Sequence, residues 1–180
     1  MTKAYLEIAE IDRLAATTGN MRDLILIRLL FHLGCRITEA LNITTEDIDL
    51  SNGRITILHL KTRLKLSCSE CGAGLGRSHT FCPKCGDRID GAVRKEMEHH
   101  RQRVLPVDPQ TCGMLKEFIE RGGSVKRNGK YLLFGINRHR AWQIVKECAE
   151  KAGLPKLINP ETGRTHNVSP HRLRDAFAVN

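Results

Sequence analysis

The chain has 180 residues, enough for one ordinary core and a small appended module, and carries 29 basic against 20 acidic side chains. The net charge of +9 and the sequence pI near 9.4 favour a polyanionic partner, nucleic acid first, over an acidic small molecule. No apolar run reaches the roughly 18 residues of a membrane span, and the segment after Met1 lacks a signal-peptide core. Composition therefore predicts a cytoplasmic protein without a membrane partner.

Helical periodicity dominates the first part of the chain. Apolar residues predict a helix over 6–16 and a more apolar helix over 21–33, with Asn20 as its cap. A third, shorter helix is predicted to start near Thr38. Arg36 therefore lies directly ahead of a helix N-terminus.

Strand signals follow the third helix. Asn52-Gly53 is a strong turn signal between the segments 47–50 and 54–60, which predicts a hairpin, and a further strand is predicted over 103–107. The sequence thus predicts an α+β fold, mainly α, with a small three-stranded antiparallel sheet.

Three more helices are predicted after the sheet. The first spans 109–120, and the second spans 138–152 with Trp142 at core spacing. Ser169 and Pro170 suit the cap and first position of the last helix.

Four of the seven cysteines form two Cys-x-x-Cys pairs separated by ten residues, and a glycine follows each pair. Four thiolates at this spacing suit one tetrahedral structural zinc ion, whereas a disulfide pair or a redox dithiol is the alternative. His79 lies between the pairs and is interpreted as a bystander. The predicted ligands are Cys68, Cys71, Cys82 and Cys85.

The segment 121–146 contains seven basic residues and no acidic residue. A solvated basic face is one interpretation, but the lack of compensating acids favours phosphate contacts. Double-stranded DNA is therefore the predicted partner.

Two short motifs place basic side chains where helices begin. Arg36 precedes the third helix, while in the last helix the cap Ser169 puts His171 in the first turn and Arg174 on the same face. Unpaired amides and the dipole at a helix start favour an anion, so an arginine there suits a phosphate. The alternative for Arg36 is an exposed ion pair with Glu39.

The order of these elements resembles the catalytic domain of tyrosine recombinases, the phage integrase and Xer-like family. The matching pieces are Leu-Gly-Cys-Arg-Ile-Thr-Glu-Ala-Leu at 33–41, Asp-Ile-Asp-Leu at 47–50, Lys61-Thr62, Arg-Val-Leu-Pro-Val at 103–107, Leu-Phe at 133–134 and His-Arg-Leu-Arg at 171–174. The resemblance implies an integrase-like catalytic domain over 1–61 and 102–180. The four-cysteine, zinc-ribbon-like module would be an insertion over 62–101 in the β-hairpin.

The resemblance also implies DNA cutting and rejoining through a phosphotyrosyl intermediate, without a catalytic metal or a high-energy cofactor. Arg36 and Arg174 look like the arginines that clamp the scissile phosphate, and His171 looks like the histidine that holds it and helps proton transfer. Lys61 looks like the hairpin lysine that protonates the leaving oxygen. Lys65 is the alternative for that role, because the insertion falls at this hairpin.

The helix that begins at Arg138 resembles the family helix that enters the major groove of DNA. Arg138, Arg140 and Gln143 would then face bases or phosphates. Lys126 and Arg127, in the basic segment just before, are further predicted DNA contacts.

The family nucleophile is a tyrosine beyond the His-x-x-Arg motif, and the sequence ends first, at Asn180. Tyr5 precedes the first helix and Tyr131 opens a core-like apolar run, so neither is predicted to replace it. We expect a truncated, nucleoid-associated chain that binds DNA without cleaving it, whose complete form self-associates on DNA. The alternative function is a non-catalytic, zinc-dependent DNA-binding or accessory protein on a decayed recombinase fold.

Overall fold

The computed structural model describes residues 3–59, 62–76, 78–89, 93–98 and 101–179. The chain divides into two compact units, one formed by residues 1–58 and 102–180 and the other by residues 59–101. We call the first the core unit and the second the cysteine unit.

All helices described lie in the core unit, and the strands are divided between the units. The helices are α1 (Ile8–Ala16), α2 (Met21–His32), α3 (Ile37–Leu41), α4 (Pro109–Glu120), α5 (Arg138–Lys151) and α6 (Pro170–Val179). The strands are β1 (Ile48–Asp49), β2 (Arg54–His59), β3 (Thr62–Ser67), β4 (Gly74–Leu75), β5 (Val93–Glu98), β6 (Arg101–Pro106), β7 (Val125–Arg127), β8 (Lys130–Leu132), β9 (Leu157–Ile158) and β10 (Thr165–His166).

Capping side chains fix where several helices begin. Asn20, Asp108 and Asn137 stand directly before α2, α4 and α5, and each side chain accepts a hydrogen bond from the backbone N–H three residues on. Each cap satisfies one of the amides that a helix start leaves unpaired. In the part of the chain described, no helix is both long enough and apolar enough to cross a bilayer.

Helix α2 is the centre of the core unit. Ile25, Leu26, Leu29 and Leu30 are fully buried, and α2 packs against each of the other helices. A helix that is apolar on nearly every side needs such surroundings, because any exposed side would leave hydrocarbon in water.

The core unit also contains the predicted three-stranded sheet, in the order β1-β2-β6. β1 pairs antiparallel with β2, with Ile48 opposite Ile55. Ile55 and Ile57 alternate along β2 and are both buried, so one face of the strand covers the helical core.

One prediction about packing was wrong. Trp142 was assigned to the core by its spacing on α5, yet 38% of its surface is exposed. Its ring stacks beside His139, and the Lys146 ammonium lies 5.6 Å from the ring centroid. Ala141, Ile144 and Val145 fill the buried face of α5 instead.

The cysteine unit is a small sheet in the order β4-β3-β5 with the four predicted metal ligands after β3 and before β5. β3 pairs antiparallel with β5 over six residue pairs, from Thr62 opposite Glu98 to Ser67 opposite Val93. Among its described side chains, the buried ones are Cys68 and Cys82. The cysteine cluster thus occupies the place that an apolar core has in a larger domain.

Candidate phosphate site and metal centre

Three of the four residues predicted to act on phosphate line one cleft of the core unit. The cleft has a volume of about 290 Å³, and Arg36, His171 and Arg174 lie in its wall. Arg138, the first residue of α5, lines the same cleft. Its other lining residues are Cys35, Ile37, Thr38 and Pro170.

Arg36 is held by a buried carboxylate. Glu39 is 3% exposed at its side chain; its Oε2 accepts the Arg36 backbone N–H at 2.8 Å, and its Oε1 lies 3.1 Å from Arg36 Nη1. Arg103 of β6 reaches the same carboxylate, with Nη2 3.2 Å from Oε2. The ion pair of the alternative interpretation is therefore present, with a buried carboxylate and an Arg36 side chain that is 45% exposed. The buried Glu39 anchors Arg36 at the start of α3.

Helix α6 is tied to the loop that carries Arg36. Gly34 has φ +53°, and a Cβ built there would lie 2.2 Å from Cδ1 of Phe177 on α6. The ring of Phe177 therefore lies against the backbone just before Cys35 and Arg36. Only glycine combines this backbone conformation with so close an approach.

The start of α6 supplies the other two cleft residues. His171 is in the first turn and Arg174 follows three residues later, as the sequence predicted. Asp175 lies one turn beyond His171, with its Oδ1 3.7 Å from His171 Nε2 and its Oδ2 3.0 Å from Arg172 Nη1. Arg174 is thus directed to the cleft, whereas Arg172 is engaged with Asp175.

Cys35 forms part of the cleft wall without being reactive. Burial raises the pKa of its thiol to about 12, and the nearby Glu39 carboxylate acts in the same direction. The side chain is fully buried, and its thiol faces the Leu29 carbonyl oxygen at 3.9 Å. It behaves as a small apolar residue.

The lysine assignment remains a prediction. Lys61 lies outside the described residues, and Lys65 lies on the first part of β3, residues 62–65, of which only the backbone is described. Lys61 therefore remains the predicted catalytic lysine, and Lys65 remains the alternative.

The residues predicted to contact DNA have different surroundings. Lys126 and Arg127 are exposed on β7, and the Lys126 ammonium lies 5.6 Å from the Tyr131 ring centroid. Arg140 is engaged on its own helix, with Nη1 3.0 Å from Glu147 Oε1 and 3.4 Å from Gln143 Oε1. Of the predicted α5 contacts, Arg138 alone lines the cleft.

In the folded chain, the positive charge of segment 121–146 is partly compensated by acidic residues outside the segment. Acidic residues just outside it pair with several of its bases across helical turns: Glu117 with Arg121, and Glu150 with Lys146. The lack of acidic residues within 121–146 is therefore weaker support for phosphate contacts than the sequence suggested. A helix brings residues four apart together, so acids beyond the ends of the segment can pair with its basic residues.

The four predicted metal ligands form one cluster. Their sulfur atoms all lie within 4.8 Å of one another, with Cys68 and Cys85 3.7 Å apart and Cys71 and Cys82 3.5 Å apart. All four are free thiols, and these separations exceed a disulfide bond. Zinc–sulfur bonds of about 2.3 Å at tetrahedral angles place sulfurs about 3.8 Å apart, so the cluster fits a single ion.

Backbone amides stabilise the thiolate form of Cys82 in the second Cys-x-x-Cys pair. The N–H groups of Cys85 and Lys84 lower the pKa of the Cys82 thiol to about 6. Lys84 N lies 3.4 Å from Cys82 Sγ. A thiolate is the form that ligates metal, so these amides favour metal ligation by Cys82.

Sequence reasoning missed Arg138 as a residue of the cleft and Arg103 as a partner of the Glu39 carboxylate. Arg138 was assigned only to a DNA-reading helix face, and Arg103 was noted only as part of a strand. A signal for Arg103 was present: a glutamate two residues before the end of a short helix becomes buried only if cations compensate it. Nothing in the sequence shows which helix start faces α3.

The sequence is similar to those of known recombinases. A sequence model of the phage integrase family matches residues 4–69. Over 176 residues the chain is 29% identical to tyrosine recombinase XerD of Neisseria meningitidis serogroup B, covering 95% of this chain and 46% of the relative. With XerD of Corynebacterium glutamicum it shares 26% over 172 residues, or 92% and 41% of the two chains. The chain spans about half the length of the curated relatives it matches.

Solved structures share the fold over nearly the whole chain. XerA recombinase matches with a TM-score of 0.61 and 19% identity, covering 99% of this chain and 50% of that one. XerH bound to its difH substrate before cleavage gives 0.58 and 21%, covering 98% and 42%. The Tn1549 transposon integrase in complex with transposon right end DNA gives 0.57 and 14%, covering 98% and 52%.

Proposed function

Because its relatives and its fold are those of a tyrosine recombinase catalytic domain, we propose that this chain binds and activates a DNA phosphodiester for site-specific strand cleavage and rejoining. One observation carries the proposal: Arg36, His171 and Arg174, distant in sequence, line a single cleft. Two guanidinium groups and an imidazole suit the negative charge that develops on a pentacoordinate phosphorus.

Each side chain has a distinct task in this proposal. Arg36 and Arg174 bind the two non-bridging oxygens of the scissile phosphate, and His171 donates a further hydrogen bond and helps move the proton of the attacking hydroxyl. Lys61, or Lys65 in its place, gives a proton to the leaving 5′ oxygen. Glu39 positions Arg36 without touching the substrate.

The partner in this proposal is double-stranded DNA. Two structural neighbours were solved on DNA, XerH on difH and the Tn1549 integrase on transposon DNA. On this chain, Lys126 and Arg127 would contact the DNA backbone. Arg140 and Gln143 would also contact DNA once Arg140 releases Glu147 and Gln143. A protein that recombines DNA would act at the nucleoid and self-associate there, since rejoining two duplexes needs more than one active centre.

For the cysteine cluster, the proposed cofactor is one structural zinc ion. Four cysteines occupy every position of a tetrahedral zinc, so the ion would stabilise the fold and leave no position for a substrate. The sulfur separations and the lowered pKa of Cys82 support this assignment.

The proposal assigns the tyrosine nucleophile to no residue of 1–180. Tyr131 lies on β8 and is 46% exposed, which corrects its assignment to a core run, but it does not line the cleft. Tyr5 is 37% exposed and lines a groove next to the cleft that His171 also borders. Incubation with a nicked suicide duplex should therefore give no covalent adduct, and an adduct abolished by Tyr5→Phe would overturn this assignment.

Phosphate ethylation tests the cleft directly. A duplex selected from a random pool by the wild-type chain is ethylated at one phosphate per molecule, and we expect ethylation at one position per half-site to weaken binding strongly. Arg36→Gln or Arg174→Gln should weaken binding and remove this sensitivity, since the clamped charge has lost its partner. Arg13→Gln, whose side chain pairs with Glu10 on α1, is the matched control.

Two results would refute the proposal. The first is absence of DNA binding by the folded wild-type chain. The second is an ethylation pattern that is the same for wild type, Arg36→Gln and Arg174→Gln.

A further inference from the structure

The β3–β5 ribbon of the cysteine unit separates its charges by face. Side chains alternate between the faces of a strand, and residues directly opposite each other share a face. The observed register pairs Arg63 with Met97 and Lys65 with Lys95. These residues therefore belong to one face of the ribbon, which we call the basic face.

The opposite face has a different composition. Register places Leu64 opposite Glu96, Leu66 opposite Arg94, and Thr62 opposite Glu98. Leu66 also lies opposite Leu75 of β4, and both side chains are partly buried. Within the ribbon, every acidic residue belongs to this face and none to the basic face.

Lys65 and Lys95 are direct cross-strand neighbours, and like charges in this relation destabilise an antiparallel pair. Arg63 occupies the next position of the same face. Protection of an exposed sheet edge would explain a lysine on the edge strand β5. Among the described pairs, β4 reaches β3 only at Leu66 and Ser67, so Arg63 and Lys65 also lie on a two-stranded part of the sheet. Edge protection does not explain why Arg63, Lys65 and Lys95 share one face, because a charge on either face protects an edge.

We propose that the basic face binds backbone phosphates of DNA, as a contact surface separate from the phosphate cleft. A polyanion offsets the cost of two like charges at directly opposed register positions. Lys and Arg without aromatic or amide residues on that face give charge neutralisation rather than base recognition. The inference depends on DNA being the partner of this chain. It assigns to the cysteine unit a second function besides metal-dependent folding: it adds affinity that does not depend on base sequence.

Adjacent residues of β5 provide the test. Lys95→Gln and Arg94→Gln each remove one positive charge at neighbouring positions, but on opposite faces of the ribbon. The metal-loaded full chain is titrated by fluorescence anisotropy against two duplexes of unrelated sequence, between about 50 and 200 mM salt. Lys65 is left unchanged, since it is a candidate for the catalytic lysine.

Lys95→Gln should weaken binding to both duplexes by roughly eightfold at 0.1 M salt and reduce the slope of log K against log salt by about 0.9. Arg63→Gln/Lys95→Gln should show about twice that change in slope. Arg94→Gln should leave both quantities close to wild type, and Lys95→Arg should restore them. A metal content equal to wild type shows that each variant keeps its fold.

Equal effects of Lys95→Gln and Arg94→Gln would overturn the inference, as would a loss confined to one duplex. A basic face that served an acidic protein instead would leave DNA affinity unchanged in all four variants, which also overturns it. If the folded wild-type chain bound no DNA, the proposed function itself would fail. The two failures are therefore distinguishable.

Discussion

In the core unit, side chains of α2 such as Leu26 and Leu30 are fully buried among five other helices, whereas the buried side chains described in the cysteine unit are Cys68 and Cys82. One unit folds because apolar surface leaves water. The other is too small to bury such a surface and has a four-sulfur cluster in its place. The two units should therefore lose their structure under different conditions.

The two candidate sites differ in the same way. The cysteine cluster is built from residues close in sequence, and its ligands are recognisable from their spacing. The phosphate cleft is built from the start of α3, the start of α5 and the start of α6, which only the packing around α2 brings together. A local site can be read from sequence, but a site assembled by packing requires the fold.

Metal removal should give the largest effect. Chelation, or Cys82→Ser, should unfold the cysteine unit, since structural zinc supplies on the order of 10–16 kcal/mol of apparent binding free energy. Hydrogen exchange should then show loss of amide protection over 62–98 and none over 21–32. Cys112→Ser, at a thiol 3.5 Å from the Leu50 carbonyl oxygen in the core unit, should keep the metal. Persistent protection of 62–98 without metal would show that the cluster does not stabilise this unit.

The reverse experiment perturbs the apolar core. Leu30→Ala removes a fully buried side chain and should lower the free energy of unfolding of the core unit by about 2–5 kcal/mol. Urea unfolding followed by the fluorescence of Trp142, the single tryptophan, reports this unit alone. Metal stoichiometry should not change. Ile8→Ala, at a side chain 55% exposed, should cost about 0.5 kcal/mol or less.

A smaller effect is expected where α6 meets the loop before Arg36. Gly34→Ala forces a Cβ into a left-handed conformation, which costs roughly 1–2 kcal/mol, and also displaces the Phe177 ring. The double variant Gly34→Ala/Phe177→Ala separates these causes, because it keeps the backbone strain and removes the clash. We expect the double variant to lose less stability than the sum of the single variants, by about 1 kcal/mol. Strict additivity in urea unfolding would show that the ring moves away without cost.

The smallest effect concerns pH. The Ser51 hydroxyl, followed by the side-chain and backbone N–H groups of Asn52, lowers the pKa of Asp49 to about 2. A lowered folded-state pKa contributes stability that is complete above the ordinary value of 3.8 and is lost as the pH falls towards 2.

Asp49→Asn should therefore lower the Tm of the core unit slightly at pH 5 and have less effect as the pH approaches about 2. Trp142 fluorescence is again the probe, because it is insensitive to metal loss from the cysteine unit. Ser51→Ala, which removes one of the donors, should give an intermediate result. An Asp49→Asn variant whose Tm falls with pH as steeply as wild type would contradict the assignment.

Much of the secondary structure could be predicted because its signals are local. The predicted limits of α4 agree with the structure, and those of α5 differ by one residue, since capping side chains mark where these helices begin. Trp142 could not be placed, because its spacing fits two faces of α5 and only the neighbouring helices decide which is covered. The engagement of Arg140 with Glu147 was hidden for a similar reason, since the acid lies outside the basic segment.

By itself, the sequence determined the two cysteine pairs, the helix starts at Arg36 and Pro170, and the apolar character of α2. Each depends on residues within one or two turns of the chain. Only the tertiary structure decided that Arg138 joins Arg36, His171 and Arg174 in one cleft, and that Phe177 lies on Gly34. The physical reason is that packing of apolar helix faces sets the distances between remote elements, and these distances leave no pattern in any short segment.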